Sequence, residues 1–434
     1  MELAQRLVKV GIKVTFINTE VTHKVVTSNW LKKDGYDRDL MQMVSIPDGL
    51  EPCADRSDTS KLIESIFQHM PHKLEEMIIN KDKVTCIIAD FTMGWAIRVG
   101  KKMGIRVAAF CPASATTLAT TLCFRRLIDD GIISDNGIPL DGKMIQLSET
   151  MVPIKSTNLW WACYEDSAMV EAAFQIVVDT VEVTGFAEWI ICNSTTELEP
   201  EVFSLYPQVS PIGPLLASNR LADQAGHFWE EDSTCLSWLD QQPTCSVIYI
   251  AFGSFAMFNQ IQFEEMALGL ELRNRPFLWV VRPGMTKETT VAYPDGYMDR
   301  VGSRGKIVSW APQQKVLAHP SVACFMTHCG WNSTLEGVTN GVPFLCWPYD
   351  SDQFLNETYI CKAWKIGLGF NKDESGIITR GEIKDKIEQL LNDKTLRAKA
   401  LDIKENVASS LRNGGSSHRN LSNFIEWIQE EDTN

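Results

Sequence analysis

The chain has 434 residues, 44% of them apolar and 22% charged, enough apolar material for two ordinary cores in a soluble protein. A formal net charge of −14, with no Lys/Arg block, argues against nucleic acid or an anionic membrane surface as the main partner. The longest apolar runs, such as VIYIAF, are of strand length, no secretory segment opens the chain, and twelve cysteines without a CxxC spacing read as reduced core residues; a cytoplasmic protein without membrane insertion is expected.

In chain order, residues 1–10 read as an amphipathic helix, IKVTFINTE as a strand and VTHKVVTSNWLKK as a helix. MQMVSIP is a strand ending in the turn Pro47-Asp48-Gly49, and a long helix follows from Thr59 to Asn80. VTCIIAD is a buried strand ending at Asp90; helix 92–103, strand IRVAAFC and helix 115–129 come next, then strands WIICNST and VSPIGP. Such alternation implies a parallel, doubly wound sheet. Residues 216–235 are polar with little periodicity, after which the alternation restarts: strand SVIYIAFGS, helix FEEMALGLEL, strands PFLWVVRP and KIVSW, helix QQKVLAH. Helices 381–393, 394–412 and 417–429 finish the chain. The expected plan is a first domain over 1–215, a linker over 216–235 and a second Rossmann-like domain over 236–416. Residues 417–434 carry the last helix as a separate segment.

The stretch from Trp310 to Gln353 carries the chemistry. VACFMTH is an apolar strand, CGW a tight turn and NSTLEGVTNG a short helix closed by glycine. With Asn332 as N-cap, the first-turn N–H groups around Asn332 and Ser333 face the end of the strand, where the helix dipole favours an anion. Gly330 allows that anion close to the backbone. Glu336, four residues on along one helix face, offers a carboxylate that can accept two hydroxyl hydrogen bonds. Trp310, ending KIVSW, presents a flat face for a base, and Asp352 and Gln353 open another helix with groups suited to sugar hydroxyls. Anion, diol, base and sugar together describe a nucleotide sugar.

This stretch closely resembles the plant secondary-product glycosyltransferase signature of the family 1 UDP-dependent glycosyltransferases. The resemblance implies the α/β GT-B fold, two Rossmann-like doubly wound domains facing a cleft, with the helix within 417–434 crossing back to the first domain. It implies that Trp310 stacks on uracil with Ala311 beside it, that Gln313 and Glu336 hold the ribose, and that His328, Gly330, Asn332 and Ser333 meet the phosphates. Trp331, Asp352 and Gln353 then hold the sugar. Gly253-Ser254, a turn at the end of YIAFGS, is an ordinary turn by itself; within this family it contacts the donor phosphate, which adds Ser254.

Several features invite other readings. IGLGF at 366–370 lacks the third glycine of a dinucleotide loop and reads as a turn entering a strand. His69, His72, His227, His319 and His418 carry no motif. Phe91, Trp95, Phe124, Trp160 and Trp161 each fit core packing singly, but a pocket for a flat acceptor needs several such rings, and Phe91, Trp95 and Phe124 are the candidates. Asp90 at a strand's carboxyl end is either the N-cap of helix 92–103 or a catalytic carboxylate. In the family, the Asp at this position orients a histidine that deprotonates the acceptor hydroxyl, which then attacks the anomeric carbon with inversion. That histidine stands in a GHxxP loop before the first helix, and MELAQRL corresponds to the helix itself. The base and the first strand are therefore absent from these residues, and the expectation is a truncated homologue that binds UDP-sugar but transfers it poorly.

The resulting reading is a monomeric, inverting transferase moving glucose from UDP-glucose, a co-substrate, to a hydroxyl of a small lipophilic plant metabolite. The glucose assignment rests on Gln353, where galactose-preferring members tend to carry His. A nucleotide-sugar epimerase would need a dinucleotide fingerprint and a Tyr/Lys pair, and neither is evident. Asp37-Arg-Asp39 and Asp350-Ser-Asp352 are DxD triplets of the kind that chelate a divalent metal in another transferase class. Asp37 lies in a charged loop, and in the resemblance the sugar takes Asp352 while a helix N-terminus meets the charge. No metal and no cofactor are therefore expected. Transfer should survive EDTA, and activity lost to EDTA and restored by Mn²⁺ would overturn this assignment.

Overall fold

The computed structural model describes residues 1–30, 39–51, 53–56, 58–81, 84–140, 142–164, 166–216, 231–254, 256–272, 274–286 and 293–430. Asp37, His227 and most of segment 216–235 lie outside the described residues. The chain forms two compact units, Met1–Phe228 with Ser409–Asn434, and Trp229–Ala408.

The first unit holds strands β1 (Val14–Thr19), β2 (Met41–Ile46), β3 (Cys86–Asp90), β4 (Arg106–Cys111), β5 (Met144–Ile145), β6 (Ile154–Lys155), β7 (Trp189–Cys192) and β8 (Val209–Pro211). Its parallel strands fall into two sheets, β1-β2 and β3-β4-β7-β8, with β5 and β6 forming a small antiparallel pair. Asp58 caps the helix Thr59–Ile79 by accepting from the Lys61 amide at 3.2 Å.

Two sequence expectations change here. The helix expected over 115–129 is two, Ala115–Leu122 and Phe124–Asp129, broken at Cys123. The Thr120 and Thr121 hydroxyls both donate to the Thr117 carbonyl, at 2.8 and 2.9 Å, and so compete with the helical ladder at its end. The sequence reading also passed over an 18-residue helix, Ser167–Thr184, capped by Asp166. Its runs of valine and threonine blur the contrast between faces, yet Val170, Ala173, Phe174, Val177 and Thr180 recur at helical spacing and are all buried. A fully buried carboxylate fixes the preceding region. Glu199 accepts from the Ala115 and Thr116 amides at 2.8 and 2.7 Å and from the Thr116 and Ser194 hydroxyls at 2.6 Å each.

The second unit is one six-stranded parallel sheet of β9 (Val247–Ala251), β10 (Phe277–Val280), β11 (Gly305–Val308), β12 (Val322–Thr327), β13 (Phe344–Cys346) and β14 (Gly367–Gly369). Every residue of β9, β10, β12 and β13 is buried, the near-continuous apolar pattern of strands covered on both faces. Residues 367–369 form the edge strand β14, paired to β13, and not a nucleotide loop. The spatial order is β11-β10-β9-β12-β13-β14, so the chain runs outward from β9 to β11 and then returns to β9's other side at β12. That reversal puts the topological switch point between the carboxyl ends of β9 and β12, where open α/β sheets hold their ligands.

No helix among the described residues is long and apolar enough to cross a membrane. The last helix, Ser416–Gln429, packs on the first unit: Phe424 is fully buried with Leu3, Leu7, Ala108, Ile191 and Ile212. Phe424→Ala should cost about 3–5 kcal/mol by urea unfolding. A loss under about 1 kcal/mol would show that this aromatic does not anchor the helix.

Candidate functional site

At the switch point, the chain leaves β12 as Thr327-His328-Cys329-Gly330 and enters the helix Trp331–Asn340. Asn332 is not the N-cap expected from the sequence. Gly330 takes that place with no side-chain cap, and Asn332 is the exposed second residue of the helix. The helix mouth is thus bare backbone, which suits an anion better than a side-chain cap would. Cys329 is held at φ 66, a left-handed conformation that costs an L-residue roughly 1–2 kcal/mol. Its carbonyl is tied down by the Thr334 hydroxyl at 3.2 Å and the Asn356 amide at 2.9 Å.

The His328 imidazole lies against two glycines. A Cβ on Gly330 would stand 2.4 Å from Nε2, and one on Gly253, whose φ is +69, would stand 2.8 Å away. The turn Gly253-Ser254 at the end of β9 therefore meets the phosphate-type turn at the end of β12 through this ring. Burial pushes the His328 pKa down to about 4, so the ring is neutral near pH 7.

Beside it runs a continuous polar network. The fully buried Tyr249 hydroxyl donates to Gln313 Oε1 at 3.1 Å. Gln313 Nε2 donates to Ser333 Oγ at 2.9 Å and Glu336 Oε2 at 2.6 Å, and Gln314 Nε2 donates to Glu336 Oε1 at 3.1 Å. Trp310 does not end a strand as expected: β11 stops at Val308, and Trp310 is a half-buried loop residue followed by buried Ala311. Its carbonyl accepts from the Asp232 amide.

Farther along, Gln353 begins the helix Gln353–Thr358. Its Oε1 accepts from the Tyr349 and Asp350 amides, and its Nε2 donates to Asp350 Oδ1 at 2.7 Å. Asn356 Nδ2 donates both to Asp352 Oδ2 and to Cys329 O, at 2.9 Å each. One buried amide thus joins the two ends of the site. Burial, opposed by that hydrogen bond and helped by Asp350, pushes the Asp352 carboxyl up to about 6. Trp331 is buried, its ring 6.3 Å from that of Trp364.

In the first unit, Asp90 ends β3 and does not cap a helix, because the next helix is Gly94–Lys102 with Met93 at its N-cap. Asp90 Oδ1 instead accepts from the Thr92 amide at 3.0 Å and hydroxyl at 2.7 Å, and burial raises its pKa. Phe91, Trp95 and Phe124 are all buried; Phe124 packs edge-on against Phe174, and the Trp95 indole N–H has no partner among the described residues. Trp160 and Trp161 are buried as well, donating to Thr121 Oγ1 and the Gly137 carbonyl.

A family model described as UDP-glucoronosyl and UDP-glucosyl transferase matches residues 77–406. The chain belongs to this UDP-glycosyltransferase family. Among relatives of the transferase, UDP-glycosyltransferase 83A1 of Arabidopsis thaliana is 40% identical, over 99% of this chain and 94% of its own length. The 7-deoxyloganetin glucosyltransferase of Catharanthus roseus is 30% identical, over 99% and 93%. In fold, the transferase is similar to Os79 from O. sativa, solved in complex with UDP (TM-score 0.82, 24% identity, covering 99% of this chain and 96% of that one). It is also similar to Phytolacca americana UGT2, complexed with UDP-2fluoro-glucose and pterostilbene (TM-score 0.80, 26% identity, 98% and 94%). The fold is GT-B, and the transferase is a glycosyltransferase enzyme.

Tyr249 and Asn356 escaped the sequence reading of this transferase. Tyr249 looks like one more aromatic in an apolar strand, and nothing local marks its partner 64 residues on. Asn356 carried a signal, since it stands one helical turn after Asp352 on the same face. Followed by NMR, the His328 ring should stay neutral as the pH falls to roughly 5 and protonate near 4. Because this folded value lies below the ordinary 6.5, its contribution to stability is present above pH 6.5 and declines as pH falls toward 4. Protonation near 6.5 would show that the ring is solvated and not enclosed by the two glycines.

Proposed function

We propose that the switch-point edge of the second unit binds UDP-glucose and that the first unit supplies Asp90 for transfer of the glucose, with inversion, to a hydroxyl of a small lipophilic metabolite. The observation that carries this reading is the Tyr249–Gln313–Glu336 network lying beside an uncapped helix N-terminus. It offers a carboxylate for a ribose diol and, next to it, backbone N–H groups for phosphate. Trp310 and Ala311 receive the uracil, Gln313 and Glu336 the ribose, and Ser254, His328, Gly330, Asn332 and Ser333 the diphosphate. Trp331, Asp352 and Gln353 take the sugar.

A neutral His328 suits this arrangement, because its ring can hydrogen-bond a phosphate oxygen without holding the leaving UDP by a full ion pair. Asp350 and the 349–350 backbone lock the Gln353 amide, so its remaining N–H has a fixed direction toward a sugar hydroxyl. Asp352 is ionised above about pH 6 and then accepts two sugar hydroxyls. In the reaction the acceptor oxygen bonds to the anomeric carbon, the bond from that carbon to the β-phosphate oxygen breaks, and UDP departs with the electron pair. The role of Asp90 on the acceptor side is to orient the family's GHxxP-loop histidine, which takes the hydroxyl proton and which these residues do not include. Phe91, Trp95 and Phe124, all buried, supply apolar rings for the acceptor side. The names of the relatives support glucose: one is a glucosyltransferase, and a structural neighbour holds UDP-2fluoro-glucose.

Glu336→Ala tests the reading. It deletes the diol acceptor and should weaken UDP binding by about 2–3 kcal/mol, roughly 30- to 150-fold by calorimetry, while unfolding stays close to that of the parent. The parent protein should also turn over UDP-glucose in preference to UDP-galactose. Undiminished UDP affinity in the variant would remove Glu336 from the site, and a galactose preference would overturn the choice of sugar.

A further inference from the structure

Resting on the ribose assignment above, we infer that Tyr249 is the positioning residue that sets how the site grips the two ribose hydroxyls, acting through the Gln313 amide. Tyr249 stands in β9 with only 1% of its surface exposed. Its ring stacks on Phe325 of the neighbouring strand β12, centroids 5.0 Å apart and planes 16° from parallel, so the phenol cannot swing away. Its one polar atom is used once, to donate to Gln313 Oε1 at 3.1 Å.

That hydrogen bond anchors the outer end of an amide whose inner end is chosen by the acceptor-only Glu336 carboxylate. A primary amide has nearly the same shape in its two flipped orientations, but the flip exchanges an acceptor for two donors. Glu336 accepts only, so Nε2 faces it and Ser333 Oγ, and the Tyr249 hydroxyl, donating to Oε1, fixes where the amide sits. In the flipped state Oε1 would face the Glu336 carboxylate, acceptor against acceptor. Gln314 engages the other oxygen of Glu336, so both arms of the carboxylate are positioned before any ligand arrives. A diol entering this site meets a carboxylate already aimed, and the ordering of that side chain is not charged against binding.

The proposal separates Tyr249 from an ordinary core tyrosine, because a purely structural phenol would affect every nucleotide alike. Tyr249→Phe keeps the ring and its stacking and deletes only the hydroxyl. Titrated by calorimetry, Y249F should bind UDP roughly 3- to 10-fold more weakly, as expected for one lost buried hydrogen bond, and should bind 2′-deoxy-UDP with a smaller change. Its preference for the ribonucleotide should therefore fall, with donor KM rising far more than kcat changes. In a Gln313→Leu background the same Tyr249→Phe step should have no further effect. An unchanged UDP to 2′-deoxy-UDP ratio, or a full additional loss in the Gln313→Leu background, overturns the proposal. Should Y249F prove too unstable to titrate, Gln313→Leu alone reads the same ratio, and an unchanged ratio there overturns it too. Glu336→Ala run in parallel separates the two levels. If that variant loses the ribose preference and Y249F keeps it, Tyr249 has no positioning role and the ribose site stands; if Glu336→Ala also keeps it, the ribose assignment itself is wrong.

Discussion

The second unit depends on the close approach of two glycine backbones to one imidazole. At the switch point, β9 and β12 lie side by side, and their carboxyl ends meet at the His328 ring. Any side chain at Gly330 or Gly253 would displace the ring. Lying against them, the part-buried His328 ring has its pKa lowered by desolvation and is neutral near pH 7, so what this edge presents is backbone dipoles and neutral donors. In the proposed function such an edge would place a diphosphate without the full counter-charge that slows release.

The rest of the site is an extension of that contact in two directions. Toward the ribose, β9 carries Tyr249 four residues before Gly253, and the sheet that fixes one fixes the other. On the other side, Asn356 ties the Cys329 carbonyl, at the left-handed turn after β12, to the Asp352 carboxylate. Polar side chains in an apolar setting are costly unless each finds a partner. Here most partners are one another, Asn356 Oδ1 being left without one among the described residues, and the shared hydrogen bonds also set the side chains' directions.

Much of this was legible in the sequence, because period and turn chemistry are local. Most of the parallel strands of both units, the strand–turn–helix around His328 and the placing of Glu336 on that helix follow from apolar runs, glycines and spacing over a few residues, whereas the short pair β5 and β6 does not. The errors have local causes too. Asn332 looked like the cap because asparagine is a favoured one, whereas Gly330 takes the cap position two residues earlier and the helix begins at Trp331. Ser167–Thr184 was missed because β-branched residues read as neither a clear strand nor a clear helix, and its periodicity emerges only once the buried face is known. What lay beyond the sequence was contact at a distance. Glu199, which satisfies a helix N-terminus 84 residues earlier, and Tyr249 with Gln313 are decided by the tertiary fold alone.

The buried amide that joins the two ends of the site has a second chemical identity. Asn356-Glu357-Thr358 is an acceptor triplet for an N-linked glycan, and the folded protein hides it, with Asn356 only 1% exposed. A chain that acquires an oligosaccharide before folding has no room for it where Cys329 and Asp352 must be bridged. For this protein, the choice between a secretory and a non-secretory route of production is therefore a choice about the geometry of its donor site.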